Sequence, residues 1–293
     1  MSIRDDIKQP FSPESIHTRT EDQVVTDGKT TVRPISNEMM KKRYANSKLT
    51  YPVLIAGFSG PGMIGSICTN YIIEQLQMHQ ISYVDSKYIM PAIIYIGGNL
   101  RHPFRIYANN IGNVCAMVCE VPIMSLGVYS VLNTVVKWAK NIGVKEIIVL
   151  EGISIGVGDQ DTVKSDRSAM ILSDNAETED NKFLQHLNKK DTANTKSYKR
   201  AFITGISGGL LAACLSNGIV CRGLVIPSSF NIPDPEGAAI LLESVNRLGN
   251  ESIKINVEPL RKWAANLKEE LGEMSRAIQR HQQPSERQQG MYT

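Results

Sequence analysis

No apolar run in the sequence approaches the roughly 18 residues that a membrane-spanning helix requires. Charge of one sign is also scarce. Lys+Arg 32 against Asp+Glu 29 leaves a net charge of +3, which makes no electrostatic case for nucleic-acid binding. There is no Cys-x-x-Cys pair, and His17, His79, His102, His186 and His281 are scattered along the chain. That excludes the usual spacings of structural zinc, and no metal site is expected. Cys68, Cys115, Cys119, Cys214 and Cys221 form an odd set in apolar surroundings, which fits core packing in a reducing compartment. No local Cys–His signature of a nucleophile accompanies them. The opening Met-Ser-Ile-Arg-Asp-Asp lacks a basic segment followed by an apolar one, so the expected location is cytoplasmic, without a secretory signal.

What is present is a hydrophobic share of 42% in 293 residues, enough for a real core. Residues 1–48 are polar and read as a mobile tail, with a short helix near 37–44. The fold proper is expected over 49–283. It begins with the apolar run Tyr51-Pro-Val-Leu-Ile-Ala-Gly-Phe, a strand covered on both faces. A helix then carries Ile64, Ile67, Cys68, Tyr71, Ile72 and Leu76 at helical spacing. Strands follow at 81–86, 92–96, 104–107 and 114–121, then a helix at 126–142 and a strand at 146–150. Residues 159–200 form a polar surface excursion with one helix near 182–188. Beyond it the pattern predicts strand 201–205, helix 208–216, strand 220–226, helix 236–248 and strand 253–257. Strands alternating with helices predict one three-layer α/β domain with a mainly parallel sheet.

The last element, 258–283, places Leu260, Ala264, Leu267, Leu271, Met274 and Ile278 at alternating spacings of four and three. It reads as an amphipathic helix docked on its own sheet, with joining of subunits as the second reading. Pro284 ends it and opens a flexible tail, 284–293.

Two motifs carry chemistry. Gly60-Pro-Gly-Met-Ile-Gly65 follows a strand and opens a helix, the setting in which backbone N–H groups can hold a pyrophosphate. Asp85 stands twenty residues beyond Gly65, where a ribose-binding acid is wanted. A nucleotide-binding enzyme using Gly60, Gly62, Gly65 and Asp85 is therefore one reading. Against it, Pro61 removes a phosphate-facing donor, and no hydride-transfer constellation accompanies the turn. The plainer alternative is a tight strand-to-helix junction where glycines permit close packing. A third reading is a small-ligand site in the sheet crevice, lined by Glu151 and Ser207. The second motif is the C-terminus, Met291-Tyr292-Thr293. It offers an apolar side chain, a flat aromatic with a polar tip, and a free carboxylate for a Lys or a nest of backbone N–H groups.

Phe58-Ser-Gly-Pro-Gly-Met-Ile-Gly65, Glu151-Gly-Ile153, Thr204-Gly-Ile-Ser-Gly-Gly-Leu-Leu211 and the Pro-Asp-Pro-Glu-Gly-Ala-Ala run at 233–239 resemble the proteasome assembly chaperone two family over roughly 51–271. Within that family the archaeal homologue B carries a hydrophobic–Tyr–any-residue C-terminus, which Met291, Tyr292 and Thr293 match position by position. The resemblance implies a non-enzymatic assembly chaperone or activator that needs no cofactor. It implies docking on α-subunits of the 20S proteasome through Met291, Tyr292 and Thr293. It also implies a homo-oligomer, tetramer or pentamer, for which helix 258–283 is the candidate joining element. Neither nucleic acid nor membrane is an expected partner.

Overall fold

The computed structural model describes residues 24–35, 53–154, 167–173, 202–228, 232–247 and 253–282. The short helices expected near 37–44 and 182–188, and the tail 284–293 with Met291, Tyr292 and Thr293, lie outside the described residues.

Among the described residues, eleven strands and five α-helices follow in chain order. The strands are β1 (Val25–Asp27), β2 (Thr30–Pro34), β3 (Val53–Phe58), β4 (His79–Ser86), β5 (Ile94–Ile96), β6 (Asn99–Arg101), β7 (Phe104–Ala108), β8 (Val114–Cys119), β9 (Glu146–Ser154), β10 (Met170–Ser173) and β11 (Val220–Ser228). The helices are α1 (Ile64–Gln75), α2 (Ser125–Asn141), α3 (Gly205–Asn217), α4 (Pro235–Arg247) and α5 (Glu258–Gln282). Nine strands form one sheet in the order β1-β2-β4-β7-β8-β3-β9-β11-β10, while β5 and β6 pair apart as a hairpin.

Burial on both faces explains why the central strands read as unbroken apolar runs. Every residue of β3 and β8 is buried. On β3, Leu54, Ala56 and Phe58 face a layer built on Trp138 and Leu132 of α2 and Leu210 of α3. Val53 and Ile55 face the opposite layer, with Ile64 and Ile72 of α1 and Leu241 and Leu242 of α4. The expected three layers are therefore present.

The sheet, however, is mixed and not mainly parallel. Only β8–β3, β3–β9 and β9–β11 run parallel; β1–β2, β2–β4, β4–β7, β7–β8 and β10–β11 are antiparallel. Helix α2 crosses from β8 to β9 and α3 leads into β11 within the parallel half, whereas α1 leads from β3 out to β4. Between α1 and α2 the chain returns without a helix, so β4, β7 and β8 meet as antiparallel neighbours.

The polar stretches also needed correction. Within 1–48, residues 25–34 form the hairpin β1–β2, which extends the sheet beside β4. Val25 and Val32 enter the core, and Lys137 of α2 pairs with Asp27 at 2.7 Å. Within 159–200, Met170–Ser173 pairs with β11 as the edge strand β10. Residues 202–204 form no strand, and Phe202 lies exposed. Residues 253–257 alternate in burial as a strand would, yet join no ladder. The amide side chain of Asn246 replaces the missing partner, donating to the Ile255 carbonyl at 2.8 Å and accepting from its N–H at 2.9 Å. The N-terminal half of α5 docks through buried Leu260 and through Arg261, which bridges Glu236 and Glu243 of α4 at 2.8 and 2.6 Å.

Candidate functional site

The carboxyl ends of β3, β9 and β11 converge on the Gly60–Gly65 turn. Pro61–Met63 makes a single tight turn in which Met63 N–H bonds Gly60 O at 2.9 Å. Gly62 holds φ +63°, where only glycine sits without strain. Met63 follows at φ +52°, and Ser66 donates to its carbonyl at 2.9 Å. The faces of the glycines are filled by protein. A Cβ on Gly60 would stand 2.2 Å from Glu151 Oε1, and one on Gly62 would stand 2.1 Å from Ser228 Oγ. A Cβ on Gly152 would strike the Pro61 carbonyl at 2.1 Å, so β9 and the turn lie back to back.

Two carboxyls close this junction in different electrostatic states. Glu151 accepts from Gly152 N–H at 3.0 Å and from the Ser207 hydroxyl, and both side chains are buried. Burial pushes the Glu151 carboxyl up to about 7, and the two hydrogen bonds only partly oppose this. Asp234 caps α4: its side chain accepts Gly237 N–H at 2.8 Å, with Pro235 at the first helical position. It also accepts from Ser228 Oγ at 2.8 Å and from both terminal nitrogens of Arg167. Burial would raise Asp234, but Arg167, Gly237 and Ser228 together hold it below the usual carboxylate range. Asp234 N–H clips the arrangement to the Gly62 carbonyl at 2.8 Å. A second feature lies beside the turn: a groove of about 470 Å³ between α1 and the start of α5, lined by Met63, Ile67, Tyr71, Glu120, Leu260 and Trp263 among others.

These junctions can be set against known proteins. The family model for PAC2 proteins matches residues 54–275, from the second residue of β3 into α5. The chain belongs to the PAC2 family. An uncharacterised protein of Methanocaldococcus jannaschii is 27% identical over 245 residues, covering 82% of this chain and 92% of that one. Among solved structures, Pyrococcus furiosus PbaA, an archaeal homologue of proteasome-assembly chaperone, superposes with a TM-score of 0.67 at 26% identity, covering 80% of this chain and 92% of that one. Pyrococcus furiosus PbaB, an archaeal proteasome activator, shares the fold at a TM-score of 0.65 and 16% identity, over 84% of this chain and 99% of that one.

In this PAC2 protein the nucleotide reading loses its geometry. Gly60, Gly62 and Gly65 do come together, but the Glu151 carboxyl covers Gly60, and Ser228 with Asp234 covers Gly62, where a pyrophosphate would need open backbone. Asp85 does not join them. It sits at the end of β4, with β7 and β8 between it and β3, and pairs with Arg33 at 3.2 Å. At the usual strand spacing that is about 14 Å to the side. Glu151 and Ser207 do meet, as the third reading required, but they bond to each other and are sealed. The cysteines are all buried and free, and burial lifts Cys119 to about 12, far from a thiolate nucleophile. Among the described residues no cluster of three His, Cys, Asp or Glu could hold a metal. Asp234 and Arg167 were missed. An Asp before a first-turn Pro was a legible cap signal, whereas nothing in the polar run marked Arg167.

Glu151 makes stability pH-dependent, and the sign follows from its raised value. Between the ordinary glutamate range and pH 7 the folded chain keeps a proton that the unfolded chain has released. Stability from this group therefore falls as pH rises to about 7 and stays low above it. Asp234 acts oppositely, and only on acidification, so it does not interfere between pH 5 and 8. Glu151→Gln should therefore gain on the wild type by about 2 kcal/mol between pH 5 and pH 8 in urea unfolding. A pH-independent difference would show that Glu151 titrates normally.

Proposed function

We propose that this chain is a non-enzymatic proteasome assembly chaperone or activator that works in the cytoplasm. It acts as a homo-oligomer and docks on α-subunits of the 20S proteasome through Met291, Tyr292 and Thr293. Membership of the PAC2 family and the likeness to PbaA support the proteasome. The C-terminal hydrophobic–Tyr–any-residue pattern is the single observation that carries the docking mode. The closed Glu151–Ser207 junction and the high-lying cysteine thiols support a role without catalysis. No observation favours a second reading.

The energetics call for more than one tail. Burying Met291 and Tyr292 gains about 4–5 kcal/mol of apolar transfer, and the terminal carboxylate adds about 1–3 kcal/mol when partly desolvated. Ordering the segment and losing its freedom take back most of this, so one tail binds at roughly high micromolar to millimolar Kd. Several tails on one particle raise avidity by about 10²–10⁴ with no new contact. The segment from Gln282 to Thr293 spans at most about 40 Å fully stretched, enough to reach a neighbouring surface from the end of α5.

Removing residues 291–293 should abolish co-sedimentation with 20S particles. Tyr292→Ala should behave like the deletion, and Thr293→Ser should bind like the wild type. Undiminished binding by the truncated chain would refute the docking mode.

A further inference from the structure

The groove between α1 and the start of α5 plays no part in docking by the tail. Its floor is the outer side of α1, with Ile67 and Tyr71, and its wall carries Leu260 and Trp263 of α5. Met63 and Glu74 both line it, and the helical rise between them makes the trough about 16 Å long. Tyr71 is pinned there, its hydroxyl donating to the Asn256 carbonyl at 2.7 Å. Two large side chains, one from each helix, stay half open to solvent: Met63 at 43% exposure and Trp263 at 44%. Met63 is also held at φ +52°, a left-handed conformation that a non-glycine residue adopts only under constraint. That constraint leaves a flexible thioether at the groove and not in the core, where it can shape itself to an occupant.

The charges here are of one sign. Among the described residues, Glu74 and Glu120 line the groove and no Lys or Arg does. The two carboxylates are not equivalent. Glu120 is satisfied by Arg105 at 2.5 Å and by Asn70 at 3.1 Å. Glu74 is exposed and pairs with nothing among the described residues. Its field reaches inward: burial first, and the Glu74 charge second, lift the Tyr71 hydroxyl above the usual tyrosine range. Neighbouring cations leave it uncompensated. Arg261 bridges Glu236 and Glu243, and Lys262 is not among the lining residues.

An aromatic and thioether trough with one uncompensated carboxylate suits a cation carried on an apolar stem. Arginine and lysine side chains are such groups, since the stem covers apolar surface and a Trp face attracts the cation. Arginine suits it better, because a guanidinium is weakly hydrated and stacks flat on aromatic rings. Length then separates a chain from a compact ligand. An extended peptide rises about 3.3 Å per residue, so about five residues fill the trough. Side chains four apart then share one face at a separation of about 13 Å.

We infer that this groove binds an extended peptide segment of a partner protein, with an apolar side chain at Met63 and an arginine four residues away at Glu74. The inference goes beyond the tail reading and does not depend on it.

The probes are two capped pentapeptides, acetyl-Leu-Ser-Thr-Ser-Arg-amide and the same peptide ending in Glu. Trp263 supplies the signal, since Trp138, the only other tryptophan, is buried in the opposite layer. The Arg peptide should change the fluorescence saturably with a Kd below about 1 mM, and the Glu peptide should not bind. Glu74→Lys should weaken the Arg peptide at least about 10-fold and accept the Glu peptide instead. A Lys in the last turn of α1 suits the helix dipole, so the fold should tolerate this variant. Trp263→Ala, followed by calorimetry, should also lose at least about 10-fold. No binding of the Arg peptide up to about 5 mM would overturn the inference, as would a Kd that Glu74→Lys leaves unchanged. Acetyl-arginine-amide binding as tightly as the pentapeptide would overturn it too, since a pocket for a lone cation needs no chain. A chain lacking 291–293 should bind the Arg peptide like the full chain, whether or not it binds 20S particles. Peptide titration thus judges the groove, and co-sedimentation judges the tail.

Discussion

Gly65→Ala should cost about 3–5 kcal/mol, and Gly65→Val should leave little folded protein at 37 °C. A Cβ at this position would stand 2.5 Å from the Leu150 carbonyl oxygen, 2.7 Å from Phe58 O and 2.8 Å from Phe58 N. All three atoms are backbone of the central parallel strands, so no rotamer change relieves the overlap. Gly57 mirrors the problem from β3, its Cβ position lying 2.0 Å from the Gly65 carbonyl. Strand and helix approach here as closely as two backbones can, and both contact points are glycine. Gly60→Ala should cost less, because the atom it meets is the end of the Glu151 side chain, and Gly60→Ala/Glu151→Ser should recover part of that loss. Gly143 calibrates the series: at φ +88° with nothing within 4 Å, its Ala variant should cost only about 1 kcal/mol. Urea midpoints rank Gly65→Ala, Gly60→Ala, Gly60→Ala/Glu151→Ser and Gly143→Ala. If Gly65→Ala proved as mild as Gly143→Ala, close packing would not be the reason for the Gly60–Gly65 pattern.

That pattern shows where the sequence was legible and where it stopped. The strand–turn–helix from β3 to α1 followed from an apolar run, three glycines and helical spacing, all local signals. What the glycines face did not follow, because Glu151, Ser228 and Asp234 arrive from strands and loops far along the chain. The sheet's mixed character was legible but outweighed. Four successive strand segments between 81 and 121 with no helix among them already signalled antiparallel return, yet the alternation elsewhere suggested crossovers. The β1–β2 hairpin escaped for a different reason. A two-stranded edge with one wet face contributes only Val25 and Val32 to the core, so its composition resembles a tail. At 253–257 the period-two pattern correctly gave burial but not pairing, since Asn246 supplies by side chain what a neighbouring strand would have supplied by backbone.

Glu120→Leu should cost about 3–5 kcal/mol because it strands a cation. The Arg105 side chain on β7 is fully buried and donates to Tyr107 Oη at 2.9 Å, to the His102 carbonyl at 2.8 Å and to Glu120 Oε2 at 2.5 Å. Glu120, directly after β8, also accepts from Asn70 of α1 at 3.1 Å. The pair thus ties the antiparallel half of the sheet to the helix that packs on the parallel half. Without the carboxylate, the fully buried guanidinium keeps two neutral acceptors and loses its counter-charge. Removing both charges is a different matter. Arg105→Met/Glu120→Leu should lie within about 2 kcal/mol of the wild type, since apolar groups of similar volume often replace a buried pair at little cost. A double-mutant cycle on urea midpoints should therefore show a coupling of at least about 1.5 kcal/mol. Additive single effects would mean that the two side chains stabilise the fold separately, and that the joint between the two halves is held by packing alone.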